Sequence, residues 1–284
     1  MSNLLIHSMG EFSGLILPTL EAAGVKQITE IGSEFGGGSR MLAEYCAKAG
    51  GQLTCIDPEP ADGFAEWAEQ HEVAHIPKPS LEALPSCDAP DAWLIDGDHN
   101  YYTVMGELKA VDALMTVAGR PLLVFMHDVS WPCARRDMYY APERVPTEWR
   151  QPHSFNHGAT LDSGSAVYQQ GFRGMGQYSI ALEAGGPRNG VLTAIEDFLS
   201  AADTEERPLC YVHVPAVFGL GVIFDAQAPW AEDVAALLAP FHENDLIARL
   251  EENRLRNYLR VIELQDQLAA ATAKTVETET CLSD

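Results

Sequence analysis

Gln27-Ile-Thr-Glu-Ile-Gly-Ser-Glu-Phe-Gly-Gly-Gly-Ser39 is the stretch that decides the fold. Its first five residues form a short apolar run, the glycines make a turn, and a helical pattern follows from Ser39 to about residue 49. The unit then repeats. LTCID (53–57) precedes the helix-like FAEWAEQH, VAHI (73–76) precedes SLEAL, AWLID (92–96) precedes a helical pattern near residues 102–115, and LLVFMHD (122–128) closes the series. Five strands alternating with helices imply a parallel sheet with right-handed crossovers. Further on, VLTAIEDFLSA reads as a helix, and LCYVHV and GLGVIFD as strands too close together for a helical crossover, so these two are expected to pair as an antiparallel hairpin.

Three segments lie outside this rhythm. The N-terminal stretch reads as a helix. Residues 129–189 are rich in Pro, Gly, Arg, His and aromatic side chains, and a long insertion of that composition reads as a functional lid over the sheet edge. Residues 244–270 form a long amphipathic helix with Leu246, Leu250, Leu255, Leu259 and Ile262 on roughly one face, suited either to capping the domain or to pairing with a second copy. A homodimer is expected on that basis, and residues 271–284 read as a disordered tail.

Composition narrows the function. The formal charge of −23, from 41 acids against 18 bases, would repel a phosphate backbone, so nucleic acid is not an expected partner. The six cysteines form no CxxC pair and suit reduced thiols in a cytosol. No signal peptide or membrane-spanning run is read, so a cytoplasmic protein without a membrane partner is expected.

The glycine turn places backbone amides at the carboxyl edge of the sheet, where such folds bind ligands. Glu30-Ile-Gly32-Ser33-Glu34-Phe-Gly36 lacks the GxGxxG spacing of a pyrophosphate site and carries two acids that would repel a diphosphate. S-adenosylmethionine has no phosphate and is cationic at its sulfonium and ammonium groups, so the same acids favour it. Asp57 ends the second strand, where its carboxylate can accept ribose hydroxyl protons.

These residues resemble the class I S-adenosylmethionine-dependent methyltransferases, whose first motif is an acid-x-Gly-x-x-x-Gly loop and whose second strand ends in a ribose-binding acid. The resemblance covers about residues 25–128 and 190–226. It implies a Rossmann-like, seven-stranded, mostly parallel α/β sheet with an antiparallel C-terminal hairpin strand, within a methyltransferase domain of residues 1–243. It further implies that Glu30, Gly32, Ser33 and Gly36 contact the methionine part, that Asp57 contacts the ribose and that Ser80 and Leu81 contact the adenine. Lys78-Pro79 stands where Gly-Asp is often found. Asp96 is also counted among the cofactor contacts.

The fourth strand runs into Ile95-Asp-Gly-Asp-His-Asn-Tyr101, and the fifth ends in Met126-His-Asp128. IDGDHxY followed by HD resembles a subgroup that includes small-molecule and sugar O-methyltransferases, several of them metal-dependent. The resemblance implies Mg2+ held by Asp96 and Asp128, with His127 as a further ligand. His99, one turn into the following segment, is placed to act as general base, with His127 as second choice and Asp96 as a further catalytic residue. Arg135, Arg136, Arg144, Arg150 and Arg173 concentrate scarce positive charge in the insertion, which suits an anionic acceptor, although internal pairing with acids is the commoner fate of a single arginine. The function expected is methyl transfer to a hydroxyl of a small molecule, a sugar or natural product. The alternatives are N-methylation, a cephalosporin-hydroxylase-like enzyme and a non-catalytic scaffold.

Overall fold

The computed structural model describes residues 6–34, 36–204 and 207–283, with residues 273–283 as backbone alone. Helix α1 (Ser13–Ala22) leads into β1 (Gln27–Ile31), α2 (Gly37–Ala49), β2 (Gln52–Ile56), α3 (Phe64–Gln70), β3 (Ala74–Ile76), α4 (Ser80–Ala83), β4 (Ala92–Ile95), α5 (Tyr101–Ala118) and β5 (Leu123–His127). The insertion carries β6 (Met138–Tyr139), β7 (His153–Ser154), β8 (His157–Gly158), β9 (Val167–Tyr168) and β10 (Ser179–Ala181). After it come α6 (Val191–Ala202), β11 (Leu209–Val214), β12 (Leu220–Asp225), α7 (Ala231–Leu238) and α8 (Asp245–Ser283).

The main sheet has seven strands in the order β11-β12-β5-β4-β1-β2-β3. β1 to β5 run parallel, and β12 pairs antiparallel with both β5 and β11, as the sequence hairpin requires. β4 and β5 are buried along their whole length, which is why they read as unbroken apolar runs and not as alternating patterns. On one face Leu94 and Phe125 pack with Ile16, Leu42 and Val234, and on the other Trp93 and Val124 pack with Leu108, Ile195 and Phe198. Helices therefore cover both sides of the sheet, which leaves its strand ends as the available ligand edge. α7 carries no signal in the sequence reading above.

The insertion is not a structureless loop. β6, β10 and β7 form a three-stranded sheet, and β8 pairs with β9. Its anchor is the fully buried Asp137, whose Oδ1 accepts from the backbone amides of Tyr101 and Gly190, at 2.8 and 2.7 Å. Its Oδ2 accepts from the Tyr139 hydroxyl at 2.7 Å. Asn189 completes the seam by accepting from the Asp137 amide and donating to the carbonyls of Glu183 and Gly185. Two residues 52 positions apart thus clamp both ends of the insertion to the start of α5.

α8 lies along the domain through the stripe Glu251, Leu255, Tyr258, Ile262, Asp266 and Ala269, whose spacing follows the helical repeat. Leu255 is buried, Glu251 accepts from the Phe218 amide at 3.0 Å, and Arg173 of the insertion pairs with Asp266 at 2.6 Å. Of the expected stripe, Leu255, Leu259 and Ile262 fall on or beside this face. Leu246 and Leu250 are exposed, as are Leu264 and Leu268. The helical backbone continues past residue 270, and from residue 273 the expected tail lies outside the residues whose side chains are described.

Replacing Asp137 with Ala strands two buried backbone amides and a phenol hydroxyl. Chemical denaturation should show a loss of about 2–5 kcal/mol, larger than an exposed-site change and comparable to removing a buried hydrogen-bonding hub.

Candidate active site

The carboxyl ends of β1, β2, β4 and β5, the insertion and α8 together enclose a cavity of about 1430 Å³. The glycine loop forms its floor. Gly32 has φ +87°, and a Cβ there would sit 2.2 Å from the Asp96 carbonyl oxygen, so only glycine allows the β1 and β4 loops to touch. The Asp96 amide donates to Ile31 O and the Gly32 amide to Ile56 O, which continues the sheet register into the loops.

Asp57 reaches across from β2 to hold this loop. Its Oδ2 accepts from the Ser33 and Glu34 amides at 2.8 and 3.0 Å, and its Oδ1 accepts from the Glu59 amide at 2.9 Å. A carboxylate offers about four acceptor positions, so about one remains for a ribose hydroxyl. The expectation that it serves two hydroxyls is thereby narrowed, because the backbone already uses most of its capacity.

Glu30 is buried and receives hydrogen bonds from the hydroxyls of Ser39 and Ser33 and the thiol of Cys55. Burial outweighs these neutral donors and raises its pKa to about 7. Glu34 beside it is also raised, by burial and by the charge of Asp96.

Four residues from β4 and β5 converge opposite the loop. The His127 Nδ1 lies 3.1 Å from Asp96 Oδ1 and 3.4 Å from Asp128 Oδ2, and its Nε2 donates to the Val217 carbonyl at 2.8 Å. Burial alone would depress the His127 pKa, yet the two carboxylates push it well above the usual histidine range. Both of its nitrogens face acceptors, an arrangement that favours the protonated ring between Asp96 and Asp128. The His99 Nε2 lies 3.4 Å from Asp128 Oδ2. Burial works to raise the Asp128 pKa, but His99 and His127 outweigh it and hold the carboxyl below its ordinary value. Asp128 adopts φ +57°, a left-handed conformation costing about 1 kcal/mol or more for a non-glycine residue, and it persists at this junction.

Asp96, His99 and Asp128 each offer a ligand atom within 4.8 Å of the others. The third member of this group is His99 and not His127, whose ring nitrogens face the carboxylates and a carbonyl. Asp98 turns aside, accepting from Asn100 Nδ2 at 2.6 Å and from the Thr103 hydroxyl at 3.3 Å.

Glu30, Gly32, Ser33, Asp57, Ser80, Leu81, Asp96, His99, His127 and Asp128 all line the one cavity. Gly36 is not among its lining residues. With φ +72° it starts α2, and its Cα faces the Phe64 ring and Arg40. The arginines divide. Arg135 pairs with Glu196, Arg136 donates from a buried position to the carbonyls of Ala181 and Gly164, and Arg150 donates to the Thr147 hydroxyl. Arg144 and Arg173 do line the cavity but already pair with Glu59 and Asp266. Aromatic residues of the insertion are expected over this edge, and Tyr140, Phe172 and Tyr178 line the cavity; the sequence reading missed Phe218 and Tyr258, which join them from two distant segments. It also missed Glu107, whose one signal is an acid inside the apolar face of α5.

Residues 29–129, from β1 to just past β5, match the family model of a methyltransferase domain. Comparison with curated proteins gives no match. Solved structures similar to the chain include an O-methyltransferase from Bacillus cereus in complex with S-adenosylhomocysteine, at 13% identity, covering 79% of this chain and 85% of that one with a TM-score of 0.44. A methyltransferase from Podospora anserina, bound to S-adenosylhomocysteine, is 14% identical with 75% and 76% covered and a TM-score of 0.45. An O-methyltransferase from Streptomyces achromogenes involved in tomaymycin synthesis is 14% identical with 78% and 82% covered and a TM-score of 0.43.

Two outcomes test the electrostatics. The His127 ring should stay doubly protonated above pH 7 in an NMR titration, and its stabilising contribution should be present below its unfolded pKa and lost as pH rises through the raised folded value. For Glu30 the sign is the same: the folded state holds a proton that the unfolded state releases between about pH 4.5 and 7, so the ligand-free protein loses stability across that window. Glu30→Gln should therefore raise the stability of the ligand-free protein at pH 8 by about 1–3 kcal/mol in thermal or chemical denaturation, with little gain at pH 4.5.

Proposed function

We propose that this chain, an S-adenosylmethionine-dependent methyltransferase by the domain it carries at residues 29–129, acts on a hydroxyl of a small molecule. The observation that supports this most is the placement, in one cavity, of the Asp57-anchored glycine loop and the His99–Asp128 pair. The first suits a cationic adenosyl ligand and the second a proton to be removed.

The residues present fit the cofactor: an acid-lined loop with little positive charge, one free acceptor position on Asp57, and an apolar Leu81 beyond it. When bound, S-adenosylmethionine supplies the methyl group on a cationic sulfonium. Glu30 and Glu34, both raised by burial, can ionise against a cationic group bound above them, Asp57 orients the ribose, and Gly32 leaves room for close approach. His99 accepts the proton of the acceptor hydroxyl, and the Asp128 carboxylate beside it stabilises the imidazolium that results. The aromatic wall of the insertion and α8 excludes water and holds a flat or apolar acceptor in line, which is where most of the rate acceleration arises.

A second reading rests on the grouping of Asp96, His99 and Asp128. These three would hold a divalent cation, which would lower the pKa of the acceptor hydroxyl, and His99 would then be a ligand and not the base.

With purified protein and a set of hydroxylated aromatic and sugar acceptors, His99→Ala should lower turnover by about 10²–10⁴-fold while leaving S-adenosylhomocysteine affinity within a few-fold. Full activity in EDTA sustains the base reading. Loss in EDTA with recovery in Mg2+ sustains the metal reading, and near-normal turnover of His99→Ala together with Asp128→Ala would remove the chemistry from this edge.

A further inference from the structure

The turn between β11 and β12 is strained. Val217, Phe218 and Gly219 lie at φ +47°, +65° and +93°, three consecutive left-handed residues of which only the last is a glycine. Such a conformation costs about 1 kcal/mol or more at each non-glycine position, and a β-branched valine adopts it rarely. It persists only where the surrounding structure holds it.

Two carbonyls of this turn serve the edge where β5 ends. Val217 O accepts from His127 Nε2 at 2.8 Å, and Phe218 O accepts at 2.7 Å from the amide of Ser130, two residues beyond Asp128. Gly219 permits the approach, since a Cβ there would stand 2.4 Å from Ser130 Oγ. The Phe218 amide, in contrast, is held by α8. It donates to Glu251 Oε1 at 3.0 Å, and the Arg254 guanidinium grips both oxygens of that carboxylate at 2.6 and 2.7 Å while lying over the Phe218 ring. Burial works to raise the Glu251 pKa, but Arg254 and the amides of Phe218 and Val217 outweigh it and hold the carboxyl below its ordinary value. A carboxylate facing successive backbone amides is a fitting stabiliser of such a turn. Glu251 is not among the residues that line the cavity.

We infer that Glu251 is a positioning residue for the methyl-transfer site: by holding residues 217–219 in their left-handed form, it aims the Val217 carbonyl at His127 and the Phe218 carbonyl at Ser130, and so fixes the His127 ring between Asp96 and Asp128. Without the carboxylate, the turn amides lose their acceptor and the two non-glycine residues relax toward negative φ, which turns both carbonyls away from their donors. α8 thereby completes the site through Glu251 as well as covering it with Tyr258 and Ile262. The other anchor of the helix, Asp266, pairs with Arg173 of the insertion instead. The role of Glu251 presupposes chemistry at the ends of β4 and β5, whereas its test reads hydrogen bonds and not turnover, so the two can fail separately.

Hydrogen exchange followed by NMR on the full-length chain tests this. Glu251→Gln is isosteric but loses the charge and one acceptor oxygen. In it the Ser130 amide and the His127 ring Nε2–H should exchange about tenfold or more faster than in wild type, the scale of a lost hydrogen bond to a charged group. The Tyr101 and Gly190 amides, held by Asp137, should keep their wild-type rates and report an intact fold. Asp266→Asn, which breaks the other anchor of α8, should leave Ser130 and His127 protected. Unchanged exchange of both protons in Glu251→Gln would overturn the inference. So would equal acceleration in Asp266→Asn, because any loosening of the helix would then have the same effect. If Glu251→Gln does not fold, the wild-type protein decides: the Phe218 amide should exchange as slowly as that of Ser130, and free exchange of Phe218 overturns the inference.

Discussion

A side chain on Gly32 would have to occupy the position of the Asp96 carbonyl, and the architecture of the cavity depends on that vacancy. Because the residue is glycine, the turn after β1 lies against the turn after β4. The Asp57 carboxylate then fastens the first turn from β2 through the Ser33 and Glu34 amides. The acids of the glycine loop and the carboxylates of Asp96 and Asp128 thereby share one floor, although they arise more than sixty positions apart. Adjacent parallel strands bring their carboxyl ends to a common level, and close backbone approach converts that level into a site.

Collecting so many acids in a buried space carries an electrostatic cost, and the molecule meets it in three ways. Glu30 and Glu107 are shifted by burial toward their neutral forms. Asp96 and Asp128 share the His127 imidazolium, which is pinned from behind by the Val217 carbonyl. Asp57 and Asp98 are covered by hydrogen-bond donors. The acids thereby share the cavity without leaving like charges in uncompensated contact.

The cover of the cavity is built from parts far apart in the chain. Asp137 and Asn189 tie both ends of the insertion to α5, and the Arg173–Asp266 pair joins the insertion to α8. Phe172 illustrates the result. It meets Trp131 and Tyr178 from the insertion, Phe218 from the turn before β12, and Tyr258 from α8. Arginines that looked like anion ligands are mostly consumed in this construction, as the buried Arg136 shows by donating to two carbonyls. No helix among the described residues is long and apolar enough to cross a membrane.

The sequence alone determined the sheet, because buried parallel strands read as unbroken apolar runs and the glycine turn after β1 has a local signature. It also determined which acids end the strands, since Asp57, Asp96 and Asp128 follow directly from strand boundaries. Tertiary structure decided what those acids do. Whether His127 is a ligand, a base or an imidazolium depends on which groups face its two nitrogens, and one of them, the Val217 carbonyl, is 90 positions away. The docking stripe of α8 was likewise settled by packing around Leu255, because at about 100° per residue Leu246 and Leu250 fall on the far side of the helix from it, while Glu251 and Asp266 fall beside it and find partners there.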